Sequence, residues 1–277
     1  MTVIEKIAYN KESSVKYGWS PSLFGATDFD ATLVSKVEEF QRDHSLEVDG
    51  LVGPTTQRIA STARMSEKDQ YILCGGVKVP IAWPKVIVMG EPGALSVPAK
   101  NIRKKPGRKP NMFVIHWDAC LTSASCASVL KERGLSVHFC LDNDGTIYQL
   151  VDCDDIAFHA GTVNSTSIGI EISNAFYPKF QSWYEKNGFG PRPVLSNTKV
   201  HNSVIPSHLG FYKIQEQALS VLIKAICTWY KIPLKTPDSI TEVPEVASGA
   251  YKGVVCHYHI TKDKIDCAGL NIDTLLR

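Results

Sequence analysis

The sequence predicts an α+β chain: a small all-α helical bundle followed by a mixed β-sheet flanked by helices. Two observations carry this. Apolar residues recur at helical spacing over 28–64, punctuated by cap and turn residues. From Asn111 onward, short apolar strands alternate with helical stretches up to a last strand at Tyr251–Val255. The length of 277 residues, 44% hydrophobic and 21% charged, suits two cored domains and excludes a disordered or low-complexity chain.

The bundle occupies 1–65. A short helix is expected around Glu12–Tyr17. Over 28–43 Asp30 caps a helix whose Leu33, Val34, Val37 and Phe40 share one face. Asp49-Gly50 is a turn dipeptide, and Gly53-Pro54 opens a helix to about Arg64 with Pro54 near its first position. Residues 66–110 read as a linker with short strands. Tyr71–Ile81 holds two of them around Gly75-Gly76, and Arg103–Pro110 is a basic, proline-punctuated run.

The third segment, 111–277, alternates. Met112–Ile115 is a strand ending at His116. Ser123 caps a helix that stops at Gly134, and Asn143-Asp144-Gly145 turns the strand at Val137–Leu141 into the one at Thr146–Val151. Ser167–Ile172 is a further strand. Gln215–Tyr230 is an amphipathic helix with Ala218, Leu219, Leu222, Ile223, Ile226 and Trp229 on its apolar stripe. Residues 175–210 show no period and are expected to form a long surface excursion.

Composition removes several functions. Thirty Lys+Arg against 28 Asp+Glu leave a net charge of +2, and the basic run lacks interleaved aromatics, so no nucleic-acid partner is expected. The commoner role of that run is a solvated linker, with contact to an anionic wall polymer as the alternative. Mean hydropathy is −0.08, and no apolar stretch approaches the roughly 18 residues of a spanning helix, so no integral membrane segment is expected. Met1–Lys11 lacks the apolar core of a secretory signal, which predicts synthesis in the cytoplasm. Eight cysteines without a CxxC pair read as reduced thiols, with Cys120 and Cys126 flanking a turn they could bridge.

Four features carry chemistry. His116 ends an apolar strand. His257 and His259 follow another in Val254-Val255-Cys256-His257-Tyr258-His259. Cys267 lies ten residues past His257. Glu171 sits among isoleucines in Ile168-Gly169-Ile170-Glu171-Ile172, on the Gly169 side of the strand. Two histidines and a cysteine make a three-ligand zinc set with one position open to water. Each residue alone has a structural alternative: a hydrogen-bonded histidine, a small buried cysteine, a salt-bridged glutamate.

The flanking strings add a resemblance. Phe40-Gln41 followed by Val48-Asp49-Gly50, Gly53-Pro54 and Thr56 resembles the peptidoglycan-binding domain of bacterial and phage wall hydrolases, over about 11–65. Further on, FVIHWDA, SVHFCLDNDGTIYQLV, AFHAG, SIGIEI and VVCHYHITKDKIDCAG occur in order. Together these resemble the zinc-dependent N-acetylmuramoyl-L-alanine amidases, a superfamily that includes phage lysozyme-amidases and animal peptidoglycan recognition proteins.

That resemblance implies a Zn²⁺ cofactor held by His116, His257 and Cys267. His257 competes with His259 and is favoured because it follows its strand directly; the last position is acidic in many members. Glu171 matches the catalytic glutamate, and its weight rises because Val137 stands where other members have a tyrosine. His159 matches a position near the substrate and is expected to bind it. The family lysine two residues before the last ligand falls on Ile265 here, with Lys264 one residue earlier, so Lys264 is the expected but displaced oxyanion partner.

The implied reaction cuts the amide between the lactyl group of N-acetylmuramic acid and L-Ala, with zinc polarising carbonyl and water and Glu171 moving the proton. The expected partner is bacterial peptidoglycan, the expected state a monomer, and the expected setting a phage endolysin made in the host cytoplasm and acting on the wall. A non-catalytic recognition protein and a cytosolic muropeptide-recycling amidase are the alternatives.

Overall fold

The computed structural model describes residues 1–66 and 70–277, and side chains outside 64–69. Residues 67–69 of the expected 66–110 linker therefore lie outside the described residues. The chain divides into two compact units, one comprising Met1–Asp69 with Trp183–Gly190, the other Gln70–Ser182 with Pro191–Arg277.

The first unit is built on α1 (Val3–Tyr17), α2 (Ala31–Asp43) and α3 (Pro54–Ser66). Asp30 caps α2 by accepting from the Leu33 amide, as expected. Helix α1 is far longer than the short segment expected. Its start is set by a reciprocal Thr2–Glu5 capping box, and its end by Gly18 in the left-handed region. Apolar periodicity misses it because its buried positions are polar, Asn10 and Ser13, while Ile4 and Val15 face solvent.

Those polar groups clamp the turn that follows α2. Asn10 donates to Gly50 O (3.0 Å) and accepts from Val52 N (2.8 Å). From α2, Gln41 accepts from Gly50 N (2.8 Å) and donates to Leu51 O (3.0 Å) and Asp49 (2.7 Å). The Phe40-Gln41…Asp49-Gly50 string is thus one side-chain-to-backbone network. Gly50 has φ 70°, in the left-handed region that favours glycine, and a Cβ there would lie 3.0 Å from Val34 Cγ1. Trp19, Leu33, Val37 and Val52 close the small core. The unit also takes in Trp183–Gly190, where Arg58 lies over the Phe189 ring at 4.4 Å and donates to Asn187 O.

The second unit begins with the hairpin of β1 (Tyr71–Cys74) and β2 (Val77–Pro80), as the Gly75-Gly76 pair predicts. Then follow β3 (Val86–Val88), β4 (Met112–Trp117), α4 (Ser123–Glu132), β5 (Phe139–Leu141), β6 (Ile147–Gln149), β7 (Ser167–Ile172), α5 (Lys213–Tyr230) and β8 (Gly253–Cys256). One six-stranded sheet runs β8-β4-β7-β5-β6-β3. All its neighbours are parallel except the β5–β6 hairpin. The segment 66–110 is therefore more than a linker: β3 is an edge strand of the main sheet. Thr122, not Ser123, caps α4.

Alternation along the strands gives the sheet two faces. Phe113, Ile115, Ile168 and Ile170 join Leu219, Leu222 and Ile226 of α5 in the main core. The other face carries Met112, Val114 and His116 of β4 beside Ser167, Gly169 and Glu171 of β7, in register. The expected surface excursion over 175–210 is folded rather than superficial: Tyr184, Arg192, His208 and Leu209 are buried. Arg192 is enclosed because it donates to Ser173 O (2.7 Å) and Gly210 O (2.8 Å). No described helix is long and apolar enough to cross a membrane.

Candidate metal centre and active site

Pairing of β8 with β4 sets Cys256 against Ile115, so the next residue, His257, arrives beside His116. Their Nδ1 atoms lie 2.9 Å apart. Asp266 Oδ2 completes a triangle, 3.1 Å from His116 Nδ1 and 3.0 Å from His257 Nδ1. Among the described residues this is the group of His, Cys, Asp or Glu side chains whose ligand atoms cluster closely enough for a metal.

The geometry fits a cation. Donors at about 2.0–2.1 Å around one tetrahedral zinc lie about 3.3 Å apart, close to the observed triangle. Burial first, then the charge of His257, lowers His116 to about 4, so its ring is neutral near pH 7. Burial alone would raise Asp266, but contact with the two imidazoles overrides it and keeps the carboxyl ionised. A carboxylate and two imidazoles converging on one point fit the donor set of a divalent metal.

Cys267 is corrected as the third ligand. Its side chain is fully buried, disulfide-bonded to Cys256, with Sγ 3.7 Å from Ile115 O. It points into the main core while its neighbour Asp266 reaches the histidines. The disulfide also departs from the expectation of reduced thiols throughout, whereas Cys120 and Cys126 are free. It joins the last residue of β8 to the end of the loop, so positions 257 and 266 each stand beside a bridged cysteine.

His257 and His259 separate cleanly. His259 Nδ1 accepts from Cys256 N (3.0 Å) and its Nε2 donates to Ser239 O (2.8 Å), which consumes both ring nitrogens away from the cluster. Glu171 stands directly opposite His116 across the β4–β7 ladder. Its Oε2 is enclosed without a hydrogen-bond partner. Burial, then the carboxylates of Asp118 and Asp266, hold its pKa well above the usual carboxylate range, with Lys264 pulling the other way. Lys264 itself is exposed on the loop before Asp266.

His159 lies against His116 rather than out in a cleft. Its Nδ1 is 3.0 Å from His116 Nε2, the ring nitrogen turned away from the metal triangle. Asp266 is the residue sequence reasoning missed. A signal was present: Lys264 stands two residues before Asp266, the spacing the resemblance asked for and failed to find with Cys267 as the end point.

The sequence model of the N-acetylmuramoyl-L-alanine amidase family matches residues 106–269, more than half of the chain, and that of a peptidoglycan binding domain matches 16–59. The chain belongs to the N-acetylmuramoyl-L-alanine amidase family. It is a peptidoglycan hydrolase directed at the amide between N-acetylmuramic acid and L-alanine. No curated protein matches it.

Solved structures similar to it include the amidase LysC from Clostridium intestinale URNW, at 20% identity and TM-score 0.37, over 69% of this chain and 95% of that one. The Ph2119 endolysin from Thermus scotoductus MAT2119 bacteriophage Ph2119 is 14% identical with TM-score 0.39, over 69% and 96%. A mutant endolysin from Bacillus subtilis is 19% identical with TM-score 0.36, over 69% and 96%.

Proposed function

We propose that this amidase is zinc-dependent, that His116, His257 and Asp266 hold the ion, and that the enzyme acts as a phage endolysin. The observation that carries the ligand set is the triangle of His116 Nδ1, His257 Nδ1 and Asp266 Oδ2, with sides of 2.9 to 3.1 Å. When bound, zinc would supply Lewis acidity to the scissile carbonyl and to the attacking water.

The chain's own residues do the rest. Glu171, enclosed opposite His116, takes the proton of the attacking water and passes it to the leaving amine of L-Ala. Burial raises its pKa above the usual carboxylate range, which makes the carboxylate a stronger proton acceptor than an exposed one. Lys264, two residues before Asp266, approaches the carbonyl oxygen as charge develops there. The segment matched at 16–59 anchors the enzyme on the wall and raises its local concentration.

The endolysin role rests on the pairing of a wall-binding segment with an amidase: a recycling enzyme working on soluble muropeptides has no use for an anchor. The test is digestion of purified peptidoglycan by the zinc-loaded full chain, read by mass spectrometry. Free N-terminal L-Ala with intact glycan strands is the expected product, and new reducing ends would overturn the bond assignment. Zinc content of about one per chain that persists in His259→Ala and vanishes in Asp266→Ala supports the ligand set.

A further inference from the structure

On the sheet face that bears His116 and Glu171, β7 carries a residue with no side chain. A Cβ at Gly169 would lie 2.4 Å from His159 Nδ1 and 2.5 Å from its Cε1. The imidazole of His159 therefore fills the space a side chain at 169 would take. Its backbone is held there too: His159 N and Ala160 N both donate to Asn164 Oδ1, at 3.0 and 2.7 Å. So His159 occupies a socket built for it.

The hydrogen bonds leading out of that socket run in one direction. Val163 O is a carbonyl and can only accept; Ser167 Oγ lies 2.8 Å from it and donates its single proton there. Ser167 Oγ is then left as an acceptor for His159 Nε2, 3.3 Å away, so the His159 proton sits on Nε2. The lone pair of His159 Nδ1 faces His116 Nε2 at 3.0 Å and accepts from it. A neutral His116 with its proton on Nε2 has its free lone pair on Nδ1, the atom that faces His257 and Asp266.

We propose that His159 is a positioning residue: seated over Gly169 and oriented by Ser167, it fixes the His116 tautomer and presents the His116 Nδ1 lone pair to the metal. This replaces the expected substrate contact. It rests on the ligand set above, and its chemistry is that of partners holding the far nitrogen of a ligating histidine, whose loss costs about 10–100-fold in metal affinity.

Two measurements test it. In the zinc-loaded full chain with ¹⁵N-labelled histidines, long-range ¹H–¹⁵N correlation should show His159 protonated at Nε2; a proton on its Nδ1 overturns the relay, whatever the metal affinity. Zinc affinity by chelator competition should fall about 10–100-fold in His159→Phe, which keeps a ring but loses the acceptor. It should recover to within a few-fold of wild type in His159→Asn, whose amide oxygen can accept near the Nδ1 position. Gly169→Ala should weaken zinc with His159 still present, because the ring is displaced from its socket.

Unchanged zinc affinity in His159→Phe with a raised KM would return His159 to the substrate and overturn the proposal. Equal loss in His159→Asn and His159→Phe would also overturn it, since shape alone would then explain both. Failure of the ligand set shows differently: Asp266→Asn would bind zinc like wild type while His159 still carries its proton on Nε2.

Discussion

Two buried polar clusters in this chain are built on opposite principles. Around the Asp49–Val52 turn of the first unit, every group of Asn10 and Gln41 meets its complement, amide oxygen to backbone N–H and amide N–H to carbonyl. Around His116, lone pairs and a carboxylate converge on one another, and Glu171 Oε2 has no partner at all. The first is complete as it stands and holds a backbone conformation. The second gathers donor atoms that fit a cation, beside a buried carboxylate oxygen with no protein partner, an arrangement that marks candidate functional sites.

The sharpest break of that contrast is at residues 266 and 267. Asp266→Ala should lose zinc and turnover altogether, while Cys267→Ala should retain the ion, since its Sγ lies in the core. Metal analysis and hydrolysis of soluble muropeptides check both, and zinc loss confined to the cysteine variant would restore the thiolate to the site. Next in size is Glu171→Gln, which keeps the shape but cannot accept a proton. A turnover loss of about 10²–10⁴-fold with zinc retained is expected, and a change of only a few-fold would make Glu171 structural.

In the self-satisfied cluster the effect is on stability instead. Gln41→Ala leaves the Gly50 N–H and the Leu51 carbonyl without their partner, each costing about 1–3 kcal/mol when buried. Denaturant unfolding should detect an earlier transition, with the rate on soluble muropeptides unchanged. A lowered rate there would mean the bundle matters for more than anchoring.

The smallest effect is a slope with pH. Burial, then the neighbouring Asp144, raises Asp142 from 3.8 to about 7 in the β5–β6 turn. Between those values the folded chain holds a proton that the unfolded chain has released, so stability falls as pH rises from about 4 to about 7 and is level above. Asp142→Asn should flatten that fall in a series of thermal melts, and an unaltered slope would assign it to other groups.

Much of the molecule was legible from residue order, because local rules suffice where an element's chemistry is local. Asp30 as a cap, the Gly75-Gly76 hairpin, the Asn143-Asp144-Gly145 turn and the alternation that puts Glu171 on the Gly169 face all follow from near neighbours. His116 and His257, far apart in sequence, could be paired only through the resemblance, and the fold brings them together by laying β8 beside β4. Helix α1 escaped because its partners, Gly50 and Val52, lie 40 and 42 residues from Asn10, and no periodicity within the helix registers a polar face buried by a distant turn.

Asp266 and Cys267 are adjacent in a loop, and beyond the Lys264 spacing what separates them is which way each side chain points. That direction is set by tertiary contacts: Cys256 and the Ile115 carbonyl draw Cys267 inward, which turns Asp266 toward the histidines. The role of His159 was decided the same way. A histidine in a loop can face a substrate or another ring, and only the space left above Gly169 directs it to His116.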